Sequence, residues 1–397
     1  MSFLDKILDN ANIEWKPLGD VAELKRGRTI TANSKTDGNI PVISGGQKPA
    51  YYNAEYNREG ETITIAGSGA YAGYIMYWNE PIFVSDAFSV KPDLSNLSIR
   101  YVLHFLQNNQ AWIHSLQKGV GVPHVYPKDL AKLEIPIPCP ENPKKSLEIQ
   151  KKIVTILDSF TELTAELTAE LTARKQQYNH YREQLFSFDV NEVQHVPMGD
   201  ESIGEFQRGK RFVKTDLITK GVPTIHYGEM YTHYGTWADK TISFVSEKLV
   251  NDKNLRVANK GDVVIVAAGE TIEDIGKGTA WLGEEDVVVH DACFSYKTVL
   301  NAKFVAYFTR TKQFHDQIKK HISSGKISAI NSRGLGKAII PVPSPEEQER
   351  IVSILDKFDI LTNSISDGLP KEIELRQKQY EYYRNLLLTF PKDNIES

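Results

Sequence analysis

The longest regular alternation of apolar and polar residues runs from Ser146 to Phe188 and predicts a single amphipathic helix. The segment has no glycine or proline, and its apolar or aromatic residues recur every three or four positions. That spacing places them on one helix face. At about 1.5 Å per residue, the segment would form a rod of roughly 60 Å. Such a rod in water needs a partner for its apolar face.

The partner is predicted near the C-terminus of the same chain. Ile351–Phe358 (IVSILDKF) nearly copies Ile153–Phe160 (IVTILDSF), and Arg376–Phe390 nearly copies Arg174–Phe188. We expect two long helices that pack antiparallel, the second one stopping and restarting at Asp367-Gly368-Leu369-Pro370. Two unrelated surface helices are the alternative, but they would not explain the repeated words. The candidate helix-pairing residues are Ile153, Ile156, Phe160, Leu163, Leu167, Leu171, Tyr178, Tyr181, Ile351, Ile354, Phe358, Tyr380 and Tyr383.

The first rod contains short repeats of the word TAEL. Complete copies occupy Thr164–Leu167 and Thr168–Leu171, after a partial copy at Thr161–Leu163. Each four-residue unit advances a helix by about 6 Å and about 40° beyond one turn. A low-complexity spacer and a spacer whose length sets a separation are both compatible with this pattern.

The stretches before the two rods share one plan and predict two similar α+β modules with mixed or antiparallel sheets. Short apolar runs between Gly, Asn and Pro predict strands. The predicted strands are 40–44, 61–67, 72–78, 82–92 and 133–138 in the first module, matched by 261–269 and 287–297 in the second; the predicted helices are 19–24, 99–116 and 301–318. We place the modules at 1–145 and 189–343 and the rods at 146–188 and 344–397. The two modules share this framework but differ in the stretches 31–57 and 214–260. A shared framework with different inserts indicates that both modules perform one task on two different targets.

Composition narrows the functional classes. The 397 residues suffice for two or three domains, and 41% hydrophobic with 25% charged residues is ordinary for a globular protein. No apolar run could span a bilayer and no signal-peptide pattern opens the chain, so we expect a cytoplasmic protein. The two cysteines, Cys139 and Cys293, belong to no disulfide or zinc motif. A net charge of −4 argues against nonspecific nucleic-acid binding but permits clustered basic residues.

No catalytic motif emerges. Gly204–Lys210 (GEFQRGK) fits half of a phosphate-binding loop, but Arg211 stands where a serine or threonine would hold magnesium. The neighbours His290 and Asp291 are expected to be structural. Neither a methyltransferase motif nor a nuclease pattern is present, which favours a protein that is not catalytic by itself and binds no cofactor or metal.

A basic turn recurs at the same place in each module. Arginine and lysine suit phosphate contacts, while Arg, Gln, Asn, Lys and Ser suit base edges. Solvated surface loops are the alternative for most of these residues taken singly. The DNA-binding candidates in the two turns and the nearby loops are Lys25, Arg26, Arg28, Gln47, Lys48, Tyr51, Ser68, Tyr71, Lys118, His124, Arg208, Lys210, Arg211, His226, Tyr227, Thr271, Lys326, Ser328, Asn331 and Arg333.

Together, these features resemble the specificity subunits of type I restriction–modification systems, in the branch with TAEL repeats. The resemblance covers nearly the whole chain. It rests on the two modules of similar plan, the TAEL units and the sequences that recur in the two predicted helices. It also rests on the segments that lead from each module into its helix, IPIPCPENP (135–143) and IPVPSPEEQ (340–348). The first exit departs from the second by continuing as SLEIQ, although Gln150 and Gln348 precede the two rod words alike.

The resemblance implies that each module reads one half of a bipartite, asymmetric site on double-stranded DNA. The helices would space the modules and dock two methyltransferase subunits, which methylate adenine with S-adenosylmethionine. Where present, two restriction subunits would cleave DNA with ATP and Mg. The residues leave two other classes open: a self-contained DNA methyltransferase or nuclease, and a coiled-coil adaptor that binds only proteins.

Overall fold

The computed structural model describes residues 3–30, 36–364 and 366–390, which form two compact units. The first unit combines the chain up to Thr168 with the chain from Glu372 onward, and the second comprises Ala169–Lys371. The start of the variable stretch 31–57 and the last residues of the predicted segment 344–397 lie outside the described residues.

The first unit contains the elements of the first predicted module. Its strands are Ile13–Pro17 (β1), Ala22–Arg26 (β2), Ile40–Ile43 (β3), Tyr51–Asn53 (β4), Glu61–Ala66 (β5), Ile75–Asn79 (β6), Phe83–Val84 (β7), Ala87–Pro92 (β8) and Glu134–Pro138 (β9). Its helices are Phe3–Leu8 (α1), Leu18–Val21 (α2), Ile99–Asn108 (α3), Gln110–Ser115 (α4), Pro127–Leu130 (α5) and the start of Pro143–Leu185 (α6).

The second unit repeats these elements with additions. Its strands are Gln194–Pro197 (β10), Gly204–Arg208 (β11), Val222–Ile225 (β12), Trp237–Ala238 (β13), Ser243–Val245 (β14), Val257–Ala258 (β15), Val263–Val266 (β16), Ala268–Gly269 (β17), Gly278–Trp281 (β18), Val287–Val289 (β19), Cys293–Thr298 (β20), Ser328–Ala329 (β21) and Ile339–Val342 (β22). Its helices are Glu229–Thr232 (α7), Glu247–Lys253 (α8), Ala302–Phe308 (α9), Lys312–Lys319 (α10), Ser332–Gly336 (α11), Pro345–Asn363 (α12) and the start of Leu369–Leu388 (α13), besides 3-10 turns at Lys214–Asp216 and Ile272–Asp274.

Sheet topology confirms the internal repeat. The main sheet of the first unit has the order β2-β8-β5-β6, and that of the second has β11-β20-β16-β18 with β13 added. A smaller sheet places β3 between antiparallel β4 and parallel β7, as β12 lies between antiparallel β14 and parallel β19. The outer pairs β1-β9 and β10-β22 also correspond. The predicted mixed and antiparallel α+β architecture is therefore confirmed.

Some predicted elements were wrong in extent. The helix expected over 19–24 ends at Val21, because Ala22–Arg26 pairs in register with strand β8. The run 82–92 forms two strands in different sheets, since the chain turns at Ser85 and Asp86. The helix expected over 99–116 breaks at Asn109, and the one over 301–318 breaks at residues 309–311. Apolar periodicity continues across these short turns and conceals them.

The predicted rods are present. The central helix α6 spans 143–185, starting and ending three residues before the segment 146–188. The C-terminal segment breaks between Asn363 and Leu369, as its Gly and Pro predicted. A Cβ on Gly368 would lie 2.3 Å from the Ile360 carbonyl oxygen, so only glycine allows this approach to the end of α12.

Aromatic contacts within each unit establish the order of helix pairing. In the first unit the Phe160 ring stacks on Tyr383, with centroids 5.2 Å apart. In the second, Tyr181 stacks on Phe358 at 5.6 Å, and Tyr178 lies against the same ring. The early part of α6 thus meets the late helix α13, and its late part meets the early helix α12. This reversed order is that of an antiparallel pair.

Each rod also has a second apolar face, which packs into a module. Ile153 and Leu157 are fully buried in the first unit's core, as Ile351 and Leu355 are in the second's. Ile153 and Ile351, predicted to pair the helices, therefore pack into the modules, and Leu157 and Leu355 do so as well. Periodicity identifies apolar positions but does not say which of two neighbours covers them. The other pairing candidates are half-buried or partly exposed, apart from buried Tyr178.

The junction between helix α6 and the first module is a partly buried ion cluster. Asp158 accepts hydrogen bonds from Arg100 and from His104 Nε2, the latter at 2.7 Å, while His104 Nδ1 lies 3.0 Å from the Tyr380 hydroxyl. At the equivalent place in the second unit, Asp356 pairs with Lys303 and Tyr307 at 2.8 and 2.7 Å. Sequence repetition pointed to these aspartates, but not to their partners.

His104 makes the first junction sensitive to acid. Burial lowers the pKa of His104 despite its bond to Asp158. Burial acts to raise the pKa of Asp158, but hydrogen bonds from Arg100 and His104 outweigh it and hold that pKa below its ordinary value. Each group binds fewer protons in the folded state than in the unfolded state, so acid lowers the free energy of unfolding. The loss begins below about pH 6.5 for His104 and below about pH 4 for Asp158.

We therefore expect the denaturant concentration at half unfolding to decrease as the pH is lowered from 7.5 to 5.5. His104→Gln should make this decrease smaller, because glutamine does not titrate. The His104 contribution changes by at most about 1.4 kcal/mol per pH unit. Denaturant melts at several pH values measure it. Tyr307→Phe is the matched control, which should lower stability without changing the pH slope. An unchanged slope in His104→Gln would contradict this assignment.

Candidate nucleic-acid interface

Backbone hydrogen bonds gather the candidate loops of the first module at one place. Ser85 N donates to the Ile43 carbonyl at 2.8 Å, Gly67 N to that of Asp86 at 3.1 Å, and Gly69 N to that of Pro123 at 3.0 Å. We call this group of segments the first loop cluster; it comprises residues 25–28, 44–48, 67–71, 84–86 and 118–126.

The second module gathers its loops in the same way. Lys210 N donates to the Val289 carbonyl at 3.2 Å, and Ala268 N donates to that of Ala292 at 3.0 Å. Strand β17 pairs with β21, which brings in the segment around Ser328. We call this group the second loop cluster; it comprises residues 208–214, 226–229, 268–271, 289–292 and 323–331.

The glycine in each basic turn is required by close packing. A Cβ on Gly27 would lie 2.2 Å from the Ser85 carbonyl oxygen, and one on Gly209 would lie 2.2 Å from that of His290. Real Cβ atoms do not approach backbone this closely. Both turns therefore cross a strand end at a point where a side chain cannot fit.

We expect Gly27→Ala and Gly209→Ala each to destabilise the protein by about 1–3 kcal/mol, because the strand end must shift to admit the methyl group. Denaturant melts measure the effect. Gly46→Ala and Gly228→Ala are matched controls, since their added Cβ atoms would come no closer than 3.6 and 3.5 Å to a neighbouring atom. Equal losses in all four variants would refute the packing argument.

Each basic turn is fastened by an arginine that sequence reasoning missed. Arg58 donates through Nη2 to the carbonyls of Lys25 and Arg26, at 3.2 and 3.1 Å. Arg256 donates to the Arg208 carbonyl at 2.8 Å. The two arginines follow no shared motif, so no sequence signal marked them.

Exposed polar side chains surround the first basic turn. Lys25, Gln47 and Lys48 are exposed, and Tyr71 is 46% exposed. The Arg26 guanidinium lies 5.4 Å from the Tyr126 ring centroid. The cluster therefore presents charge and hydrogen-bonding groups at one surface. Arg28 pairs with Glu55, and Tyr51 is half-buried.

Other candidates of the first cluster are held by neighbours. Ser68 donates to the Asp86 carboxylate. Lys118 donates to Asp129 at 2.7 Å, and this bond lowers the pKa of Asp129. The His124 ring stacks on Tyr126 with centroids 6.0 Å apart. These contacts restrain the loops.

Both modules present the same closed loop. Lys118 and His124 exchange two backbone hydrogen bonds, and so do Ser323 and Ala329, six residues apart in each case. Apolar β-branched residues are exposed within both loops: Val120 is fully exposed, Val122 is 54% exposed and Ile327 is 63% exposed. The polar residues of these loops marked them as candidates in the sequence, whereas the two valines and the isoleucine fit no motif.

A cavity of about 480 Å³ lies in the second loop cluster. Its lining includes Arg211, His226, Tyr227, Glu270 and His290. Three of these five were sequence candidates; His290 had been expected to be structural. The His226 and His290 rings are 4.7 Å apart, so the cavity wall is a packed aromatic group.

The remaining candidates of the second module occupy different surroundings. Thr271 and Lys326 are exposed, while Ser328 is buried. Asn331 caps helix α11 by accepting a hydrogen bond from Gly334 N at 2.8 Å. Arg333 lies in a separate groove beside Glu205.

The second basic turn contacts both backbone and an aromatic ring, since the Arg208 guanidinium lies 5.8 Å from the Phe294 ring centroid. Arg208 Nε donates to the Asp291 carbonyl at 2.9 Å, and Lys210 Nζ lies 3.4 Å from that of Lys253. Gly204–Arg208 is a β-strand, so the GEFQRGK segment does not form a phosphate-binding loop. Within the described ranges, no group of three or more His, Cys, Asp or Glu residues could hold a metal. None of the helices in these ranges combines the length and the apolar composition that a membrane span requires.

Comparisons with known proteins agree with this duplicated arrangement. The family model described as "Type I restriction modification DNA specificity domain" matches residues 10–174 and again 193–375. The chain is 33% identical to the type I restriction enzyme EcoR124I/EcoR124II specificity subunit of Escherichia coli, over 100% of this chain and 99% of that protein.

Solved structures agree in fold. The type I restriction–modification S subunit from M. genitalium aligns with a TM-score of 0.57 at 18% identity, over 97% of this chain and 98% of that one. A chain from a study of complex assembly and conformational transition of the type I system aligns with a TM-score of 0.60 at 15% identity, over 95% and 97%. At these identities the likeness concerns the fold alone.

Proposed function

The chain belongs to the type I restriction–modification DNA specificity family, and from that premise we propose that it is the DNA-recognition subunit of such a complex. Each module reads one half of a bipartite, asymmetric site on double-stranded DNA. The long helices space the modules and dock the partner subunits. The chain determines which DNA sequence is recognised, and its partner subunits catalyse the reactions on that DNA.

One observation carries this proposal: two loop clusters on the same scaffold have different linings. Both have a glycine-anchored basic turn fastened by an arginine, and both have a closed loop with exposed apolar residues. Arginine and lysine contact phosphates, polar side chains read base edges, and apolar groups suit the thymine methyl. Two loop clusters with the same backbone scaffold but different surface side chains are suited to recognising two different DNA sequences.

The proposal extends to the subunits that would surround the chain. Two methyltransferase subunits would dock on the helices and methylate adenine in a flipped-out position, using S-adenosylmethionine. Where restriction subunits join, ATP and Mg would act there. We propose no cofactor site on this chain, and we place the complex in the cytoplasm.

The two rival functions have less support. A self-contained methyltransferase or nuclease needs a catalytic motif, and the GEFQRGK segment that came closest is a strand. S-adenosylmethionine or ATP binding by the isolated chain in calorimetry would revive that alternative. A protein-only adaptor explains the helices but gives no reason for two different loop clusters.

The deciding experiment is base-resolution methylation mapping in cells that carry the partner methyltransferase subunit, with and without this chain. We expect a split, asymmetric motif with a fixed gap that appears only when the chain is present. Co-purification of the two proteins shows that the complex has formed. An assembled complex without any new motif would overturn the proposal in favour of the adaptor.

A further inference from the structure

The cavity of the second loop cluster has a rigid wall. His290 is buried, and backbone groups contact both of its ring nitrogens: Nε2 donates to the Phe212 carbonyl at 3.0 Å, and Nδ1 accepts from Ala292 N at 3.1 Å. The Asp291 carboxylate also lies 3.1 Å from Nδ1. Burial lowers the pKa of His290, so the ring stays neutral and this pattern persists at neutral pH. His290 is therefore a positioning residue.

His226 rests against that wall and offers one hydrogen-bond donor. Its ring lies 4.7 Å from His290 and 4.6 Å from the Tyr227 ring. Gly228 N donates to His226 Nδ1 at 3.3 Å, and burial lowers the pKa of His226. The neutral ring then carries its proton on Nε2. In the part of the chain that the structure describes, Nε2 has no hydrogen-bond partner.

Acceptors line the same cavity beside that donor. Glu270 is exposed at its rim, with no ion pair or hydrogen bond within the described residues. A carboxylate accepts and does not donate. Arg211 and Lys214, also exposed in the lining, supply positive charge next to it. Asp291, a second carboxylate in the lining, lies beside His290. One neutral donor on His226, the unpaired Glu270 acceptor and flanking cations form a set that a solvated surface loop does not need.

We propose that this cavity is the base-reading site of the second module, taking the major-groove edge of a base pair that presents an acceptor beside an amino group. His226 Nε2 donates to the acceptor, Glu270 accepts from the amino group, and Arg211 and Lys214 contact the flanking phosphates. Three pairs of groups have this chemistry: N7 and N6 of adenine, N6 of adenine beside O4 of its paired thymine, and O6 of guanine beside N4 of its paired cytosine. The inference rests on the proposed DNA-recognition function and assigns it to named atoms.

The test is methylation mapping with the full chain and its partner methyltransferase, using His226→Phe and Glu270→Ala. Phenylalanine keeps the ring packing and removes the donor, and Glu270 is exposed, so both variants are expected to fold. We expect each to broaden one base pair, the same or an adjacent one, in a single half of the motif. Discrimination there should fall by about tenfold or more. An A·T position assigns the adenine amino group with N7 or the paired thymine O4 as the acceptor, and a G·C position assigns guanine O6 with cytosine N4.

Two controls separate this inference from its premise. Arg211→Ala should lower methylation at all sites without changing the motif, because phosphate contacts carry no sequence information. Gln47→Ala, in the first module, should leave the second half of the motif unchanged. If the unaltered chain yields a split motif but both cavity variants keep it unchanged, the cavity assignment fails and the DNA-recognition function stands. If the unaltered chain yields no motif, both fail.

Discussion

Exchange of the proposed second module, residues 189–343, for the matching module of another family member is expected to replace one half of the methylated motif. The other half and the gap should be unchanged. The physical reason is that the exchanged segment carries most of its core: Val263, Ile265, Trp281 and Phe304 are buried together, and Ile351 and Leu355 join them from the following helix. A loop cluster built on such a core should keep its conformation when its neighbours change.

Methylation mapping of the exchanged chain measures this outcome directly. The reciprocal exchange of residues 1–145 is the matched control, and it should replace the opposite half. The hybrid must be shown to assemble with the methyltransferase subunit, because the junctions at Asp158 and Asp356 lie close to the exchange points. Changes in both halves from a single exchange would show that the modules do not read independently.

Insertion of one further TAEL unit into helix α6 is expected to change the gap between the half-sites and leave both half-sequences intact. Four residues lengthen a helix by about 6 Å, the length of nearly two base pairs at about 3.4 Å each. They also rotate it by about 40° beyond one turn, close to the roughly 35° that separates neighbouring base pairs. Length favours a change of two base pairs and rotation favours one, so we expect one or two.

Threonine substitutions provide the control for this insertion. The Thr164 and Thr168 hydroxyls donate to the carbonyls of Phe160 and Thr164, at 2.8 and 2.7 Å, and satisfy themselves within the helix. Thr164→Ala and Thr168→Ala change the repeat without changing its length, so the gap should stay the same. A gap altered by the substitutions, or unaltered by the insertion, would exclude length as the cause.

The large features of this fold were predictable from sequence because they recur. The repeated sequences around Ile153 and Ile351 predicted two matching helices, and Gly368 with Pro370 predicted the break in the second one. The limits of the predictions have a physical cause. An apolar residue such as Leu157 can face a helix or a module, and spacing alone does not distinguish them. The pairing of Ala22–Arg26 with a strand some 65 residues away is likewise invisible in local spacing.

The candidate sites were predictable in outline only. Basic turns stood out because two copies could be compared, and the glycine that each contains turned out to be needed for packing. Arg58 and Arg256, which fasten those turns, occupy different places in the two modules and left no shared pattern. His290 was judged by its neighbour Asp291 in sequence, whereas its role depends on Phe212 and His226, which only folding brings close.

The discontinuous first unit has a consequence for synthesis. Its core contains Leu387 and Leu388 from the end of the chain, packed together with Ile149 and Leu157. The second unit is continuous and can be completed as soon as Lys371 has emerged. At about 5–20 residues per second, the first module must wait roughly ten to forty seconds for the helix that closes its core. The unit that the ribosome begins first is therefore the last to be finished, and until then its open apolar face is the surface that a chaperone would meet.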